Sequence, residues 1–262
     1  MRIIDFHTHV WPAEVAPRAV ATLSEDGVVQ PHYDGTVEGL TAAMDRGGVS
    51  LSVLQPVATK PSQVCSINDW SVALHNERLI AYGAMHPDFE DPAAEIARMH
   101  GLGLRGFKLH PEYQDFAPDE PRLEPVYDAA LKHGMTILFH AGADAVISSV
   151  RGTVRSFVSV LDAYPGLSIV LAHMGGYDQF EDVLSLLAGR DVWLDTAYTR
   201  GLLPDADFLT LVREHGAGRV LFGSDGPWAD VAVDIAYLRA IGLDEAELRA
   251  ILGDNAARLL GL

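Results

Sequence analysis

Apolar positions fall into eight short runs, at residues 3–6, 51–54, 79–84, 106–109, 136–139, 168–172, 192–194 and 220–222. Each has the length of a strand buried on both faces. Between them the apolar spacing changes to that of a helix face. Leu123, Val126, Tyr127, Ala130 and Leu131 share one face, as do Val154, Phe157, Val158 and Leu161, and Phe180, Val183, Leu184 and Leu187. Stop signals follow: Gly134 after Lys132-His133, Pro165-Gly166, Gly189 and Gly216. Strands alternating with helices at this spacing predict parallel βα units. Eight units in 262 residues predict an α/β fold, a single (β/α)8 barrel over residues 1–262. A doubly wound open sheet is the competing arrangement. No Pro/Gly/Ser linker or low-complexity tract marks a boundary. Residues 10–35 exceed a normal βα loop of about 2–6 residues. They carry Trp11, Pro12, Pro17, Pro31, His32 and Tyr33, and they fit a lid or pocket wall as well as a segment capping a barrel end.

Active sites of such barrels lie at the C-terminal strand ends, so the residues that follow each run carry the chemistry. The first run leads into His7-Thr8-His9, the fourth into Lys108-Leu109-His110-Pro111 and the fifth into His140-Ala141-Gly142. The sixth leads into His173-Met174-Gly175-Gly176, and the eighth into Gly223-Ser224-Asp225-Gly226-Pro227. Residues i and i+2 of a strand face the same side, so His7 and His9 can present two imidazoles to one ion. Imidazole suits zinc and similar divalent ions. Each residue alone has a plainer reading: a strand histidine in the core, or a turn carboxylate at Asp225. Four histidines ending three separate strands, with an aspartate on a fourth, converge only if the chain closes. His32, His75, His100, His133 and His215 fall in loops or helices, where solvated roles are the default, and His86-Pro87 reads as a turn.

Composition narrows the partners. The formal charge of −17 repels phosphate backbones and anionic bilayers, so neither nucleic acid nor membrane is expected. The one cysteine, Cys65, has no internal partner for a disulfide and reads as an idle thiol. The opening residues are too short and polar for a signal peptide, and no apolar run approaches the roughly 20 residues of a membrane span. A cytoplasmic location is expected, with a homo-oligomer left open.

The motifs as a set resemble the amidohydrolase superfamily, in the branch that holds aminocarboxymuconate-semialdehyde decarboxylase and related decarboxylases, hydratases and hydrolases. The resemblance rests on Asp5-Phe6-His7-Thr8-His9, Gly106-Phe107-Lys108-Leu109-His110-Pro111, Phe139-His140-Ala141-Gly142, Ala172-His173-Met174-Gly175-Gly176 and Phe222-Gly223-Ser224-Asp225-Gly226-Pro227. The tail Ile251-Leu252-Gly253-Asp254-Asn255-Ala256-Ala257-Arg258-Leu259-Leu260-Gly261 completes it. It implies one divalent ion, zinc first, on His7, His9, His140 and Asp225. Asp225 would also handle the proton of the activated water, and His173 would polarise the substrate. Lys108 would bind a substrate carboxylate, with His110 beside it. A carboxylated Lys108 would instead bridge two ions, with His173 as a ligand.

A zinc ion lowers the pKa of water from 15.7 to about 7, which suits hydrolysis of an amide, lactone or ester in a small carboxylate-bearing substrate. The same groups serve decarboxylation or hydration of an unsaturated or aromatic-derived acid. A metal-holding protein without turnover is the third reading. Trp11, Tyr198 and Trp228 follow strand ends and fit either pocket walls or loop packing.

Overall fold

The computed structural model describes residues 1–24 and 29–262. Its strands are β1 (Ile4–Thr8), β2 (Leu51–Leu54), β3 (Leu79–Ala81), β4 (Gly83–Ala84), β5 (Gly106–Leu109), β6 (Thr136–Phe139), β7 (Ile169–Leu171), β8 (Trp193–Asp195) and β9 (Val220–Leu221). All pair in parallel, as β1-β2-β3 and β4-β5-β6-β7-β8-β9. The third predicted run is split at Tyr82, whose N–H reaches back to Leu54 O at 3.1 Å while Gly83 and Ala84 pair forward with β5. The other seam is closed by Phe6 N to Phe222 O at 2.8 Å, Asp225 N to His7 O at 2.9 Å and His9 N to Gly226 O at 2.7 Å. The eight runs therefore form a closed ring, and the open-sheet alternative is excluded.

Helices cover the outside: α1 (Ala16–Ser24), α2 (Val37–Gly47), α3 (Val64–Leu74), α4 (Pro92–Gly101), α5 (Pro111–Gln114), α6 (Glu124–His133), α7 (Val154–Ala163), α8 (Phe180–Asp182), α9 (Asp205–His215), α10 (Val231–Ala240), α11 (Glu245–Arg249) and α12 (Asn255–Leu260). Alternation along the strands divides the core in two. Phe107, Leu109, Ile137, Phe139, Ile169, Leu171 and Phe222 pack outward against helix residues such as Met99, Val126 and Phe157. Ile4, Phe6, Val53, Tyr82, Leu138, Val170 and Leu221 fill the interior, where Ala256 and Leu260 of α12 join them. Such layered filling makes the ring a packed core with its chemistry confined to one rim.

The predicted helix faces need two corrections. Leu131 and Leu184 stand 43% and 41% exposed. Leu131 sits beside the face that buries Val126, Tyr127 and Ala130 in α6. At Leu184 the chain forms a π-turn over Val183–Leu187, closed by Ala188 N to Val183 O at 3.0 Å. The wider turn keeps Val183 and Leu187 inward and rotates Leu184 out. His215, expected in solvent, is buried and bonds Val192 O at 3.0 Å. His86 holds a turn, accepting from Asp88 N at 3.1 Å. Gly134 ends α6 in the left-handed conformation, φ 62°, as its position predicts. Among the described residues no helix is long and apolar enough to cross a membrane.

Candidate metal centre

The rim residues reach the cavity by three routes. On β5 and β8, and one residue beyond β6, plain alternation turns Lys108, Asp195 and His140 inward, in step with the interior residue Leu138, while Asp225 comes four residues after β9 through a left-handed residue. On β1 alternation alone would fail, because Phe6 already points inward. One extra residue between Asp5 and Thr8, relative to β2, slips the register and brings His7 in after Phe6. After β7, left-handed turns at His173 (φ 57°) and Met174 (φ 54°) swing the His173 ring inward past Ala172. Tyr198 (φ 53°) and Asp225 (φ 66°) are left-handed as well, so backbone strain gathers around one cavity. Gly223 has its own reason: a Cβ there would stand 2.8 Å from that of His7.

Hydrogen bonds fix which ring nitrogens are bare. A carbonyl oxygen only accepts, so a ring nitrogen facing one carries the proton. His9 Nδ1 faces Gln55 O at 2.7 Å, His173 Nδ1 faces Ala197 O at 2.9 Å, and His140 Nε2 faces Ala143 O at 2.8 Å. His7 Nδ1 faces the Asp195 carboxylate at 2.9 Å. Apart from the Lys108 Nζ, 3.2 Å from His7 Nε2, the nitrogens left bare meet other electron-rich atoms. His7 Nε2 and His9 Nε2 lie 3.3 and 3.1 Å from Asp225 Oδ1, and His140 Nδ1 lies 3.0 Å from His173 Nε2. Bonds of about 2.0–2.2 Å to one ion place neighbouring ligands roughly 3.0–3.4 Å apart. Lone pairs facing one another at that spacing fit a divalent cation.

His7, His9 and Asp225 form the tight group. His140 stands next to it through His173, whose ring centre is 5.7 Å from that of His7 and 4.7 Å from that of His140. His110, His140 and Asp144 make a second cluster. The His110 and His140 rings stack 4.2 Å apart and 11° from parallel, so their lone pairs run side by side rather than converge on an ion.

Charge favours neutral ligands. Burial, then the Lys108 charge, lowers His7 to about 4. Burial, then His173 and Lys108, holds His140 well below its usual range, and burial with His140 and Lys108 does the same to His110. Asp225 is pushed up by burial, but His7, His9 and His173 more than offset that and keep it ionised. Lys108 is buried, with Nζ 3.2 Å from His7 Nε2. Burial lowers it to about 8 against the opposing pull of Asp195, Asp225 and Glu112.

These groups floor a cavity of about 190 Å3 walled by Trp11, Tyr113, Tyr177, Tyr198 and Trp228. Every residue expected at the site lines it: His7, His9, Lys108, His110, His140, His173 and Asp225. The long segment after β1 supplies Trp11, Leu23 and Val29 to its wall, while residues 25–28 of that segment lie outside the described residues. Asp195, Glu112 and Gln55 were not anticipated. Asp195 follows the seventh run as His140 follows the fifth, and alternation beyond Leu194 would have found it. Gln55 follows the second run directly and carries the same signal, whereas Glu112 stands three residues beyond the fourth run, within α5, and carries none. Cys65 is remote from the cavity lining.

The amidohydrolase family model matches residues 4–262. The chain belongs to the amidohydrolase family. No curated protein sequence matches it. Solved structures similar to it include 5-carboxyvanillate decarboxylase from Sphingomonas paucimobilis, with 20% identity, TM-score 0.76 and coverage of 100% of this chain and 99% of the other. The 5-carboxyvanillate decarboxylase of Novosphingobium aromaticivorans, complexed with manganese and 4-hydroxy-3-methoxy-5-nitrobenzoic acid, matches at 16% identity and TM-score 0.74, covering 100% and 96%. A Pseudomonas putida protein assigned as a 2-pyrone-4,6-dicarboxylic acid hydrolase matches at 22% identity and TM-score 0.70, covering 99% and 97%. The likeness establishes the barrel fold, and the family establishes a metal enzyme of the amidohydrolase superfamily.

Proposed function

We propose that this amidohydrolase-family chain is a hydrolase, splitting an amide, lactone or ester bond of a small carboxylate-bearing substrate. One barrel over residues 1–262 carries the activity. His7, His9, His140 and Asp225 would hold one divalent ion, with zinc first and manganese next; both accept nitrogen and oxygen ligands. The ion would supply Lewis acidity and a water acidic enough to be deprotonated near neutrality. The observation that carries the reading is Asp225, whose Oδ1 lies 3.3 Å from His7 Nε2 and 3.1 Å from His9 Nε2, with burial outweighed by the neighbouring imidazoles, which hold its carboxyl below the usual carboxylate range. Asp225 takes the proton of the attacking water and returns it to the leaving group. His173, after taking a proton from solvent on Nε2, donates that N–H to the oxygen on which charge develops and keeps the proton when the charge is lost. Its Nδ1 is already committed to Ala197 O. Lys108 and His110 hold the carboxylate, and the aromatic walls exclude water.

A second reading, decarboxylation or hydration of an aromatic-derived acid, draws on those aromatic walls and on the decarboxylases among similar structures. A panel of lactones, amides, esters and aromatic acids, read by mass spectrometry with metal analysis, tests both. Cleavage of an amide, lactone or ester bond by one water, with about one equivalent of metal lost in His7→Ala/His9→Ala, supports a one-ion hydrolase, whereas water added across a carbon–carbon double bond belongs to the second reading. Products lighter by carbon dioxide transfer the chain to the second reading. About two equivalents of metal would assign Lys108 to a carbamate bridge and His173 to the ligands.

A further inference from the structure

Asp195 is wholly buried and spends both carboxylate oxygens on opposite sides of the site. Its Oδ2 accepts from His7 Nδ1 at 2.9 Å. Its Oδ1 accepts from the backbone N–H groups of His173 and Ala197, each at 3.0 Å. Ala197 in turn offers its carbonyl to His173 Nδ1 at 2.9 Å. One carboxylate thus sets the tautomer of His7, pins the left-handed turn that carries His173, and anchors the residue that sets the tautomer of His173.

We infer that Asp195 is a positioning residue that keeps His7 Nε2 free of its proton and aimed at the metal, and locks His173 beside it. The inference rests on the reading of His7 as a ligand. A histidine whose second nitrogen donates to a carboxylate is a more basic and better oriented ligand, and losing such a partner typically weakens metal binding by about 10- to 100-fold. Asparagine cannot replace Asp195, because the position demands two acceptors and an amide offers only one. If the amide oxygen serves His173 N–H and Ala197 N–H, the amide NH2 faces His7 Nδ1. His7 must then accept there and carry its proton on Nε2, where the ion would bind. If the amide is reversed, two buried backbone donors face an NH2 group and the His173 turn loses its anchor. The first arrangement leaves fewer groups unsatisfied, so the shift of tautomer is the expected outcome.

The test uses the full-length chain, 15N-labelled at histidine. Imidazole nitrogen shifts read the tautomers, and competition with a chromophoric chelator reads zinc affinity. The wild type should show His7 as the Nδ1–H tautomer. Asp195→Asn should show Nε2–H and bind zinc about 10- to 100-fold more weakly, with unchanged circular dichroism. A merely structural role would not move the tautomer. If His7→Ala loses zinc while Asp195→Asn keeps wild-type affinity, the inference on Asp195 is overturned and the ligand reading stands. If His7→Ala keeps wild-type affinity, both fall. Should Asp195→Asn not fold, the wild-type spectrum decides alone: an Nε2–H tautomer at His7 overturns the inference and an Nδ1–H tautomer supports it.

Discussion

Replacing Asp225 by asparagine changes one charge while leaving size and backbone almost untouched. The backbone matters because Asp225 sits at φ 66°, a conformation costly to most side chains but tolerated by Asp and Asn. The fold should therefore survive, with a thermal midpoint within about 4 °C of wild type, equivalent to roughly 1 kcal/mol in a chain of this size. Chemistry should not survive. A positioned acid–base group contributes about 10^2- to 10^4-fold, or roughly 3–5 kcal/mol of barrier at 1.36 kcal/mol per decade. The neutral amide also offers a weaker oxygen beside His7 Nε2 and His9 Nε2, so metal affinity should drop too. The assay is kcat/KM at pH 7 with saturating metal, on whichever substrate the panel identifies, with bound metal measured in the same samples. An Asp225→Asn enzyme that carries its metal and keeps kcat/KM within tenfold of wild type would refute Asp225 as the base.

Other consequences reach beyond the centre. Asn68 is buried, gives its NH2 to Glu95 at 2.7 Å and accepts Ala84 N at 2.7 Å, so Asn68→Ala strands a β4 donor. Urea unfolding should show a loss of about 2–4 kcal/mol from the unmet donor and the void together. Burial pushes the Glu95 carboxyl up, but hydrogen bonds from Arg98 and Asn68 and the Arg98 charge outweigh it and hold it below its ordinary value. A depressed folded-state value gives stability that is present above the usual glutamate range and lost as pH falls through that value. Glu95→Gln should accordingly destabilise the protein at pH 7 and progressively less in acid, and a constant difference in urea midpoint across pH would contradict this. Gly142 lies at φ 87°, and a Cβ there would stand 2.2 Å from Tyr177 N, so the loops after β6 and β7 meet at this glycine. Gly142→Ala should cost more than about 1 kcal/mol in urea unfolding, and a neutral outcome would mean that the two loops separate easily.

The fold was legible because its code is local. Apolar runs of strand length, each followed by a helical face, state their period without reference to distant residues, and seven of the eight appear as single strands at nearly the expected positions. The split at Tyr82 depended on two different neighbours, β2 on one side and β5 on the other, which no local pattern contains. The members of the centre were likewise visible as polar side chains ending apolar runs, and all seven expected residues meet at one cavity. Their arrangement was a tertiary matter. His7 faces the cavity through a register slip that exists only relative to β2, and His173 does so through a left-handed turn held by Asp195. Asp195 stands directly after the seventh run, but its work stayed hidden because it is done by contacts with residues 188 positions earlier and 22 positions earlier in the chain. Sequence determined which groups arrive at the rim, since strand period is a property of neighbouring residues. Closure of the ring decided which nitrogen of each ring is bare, since protons follow hydrogen-bond partners that only folding supplies.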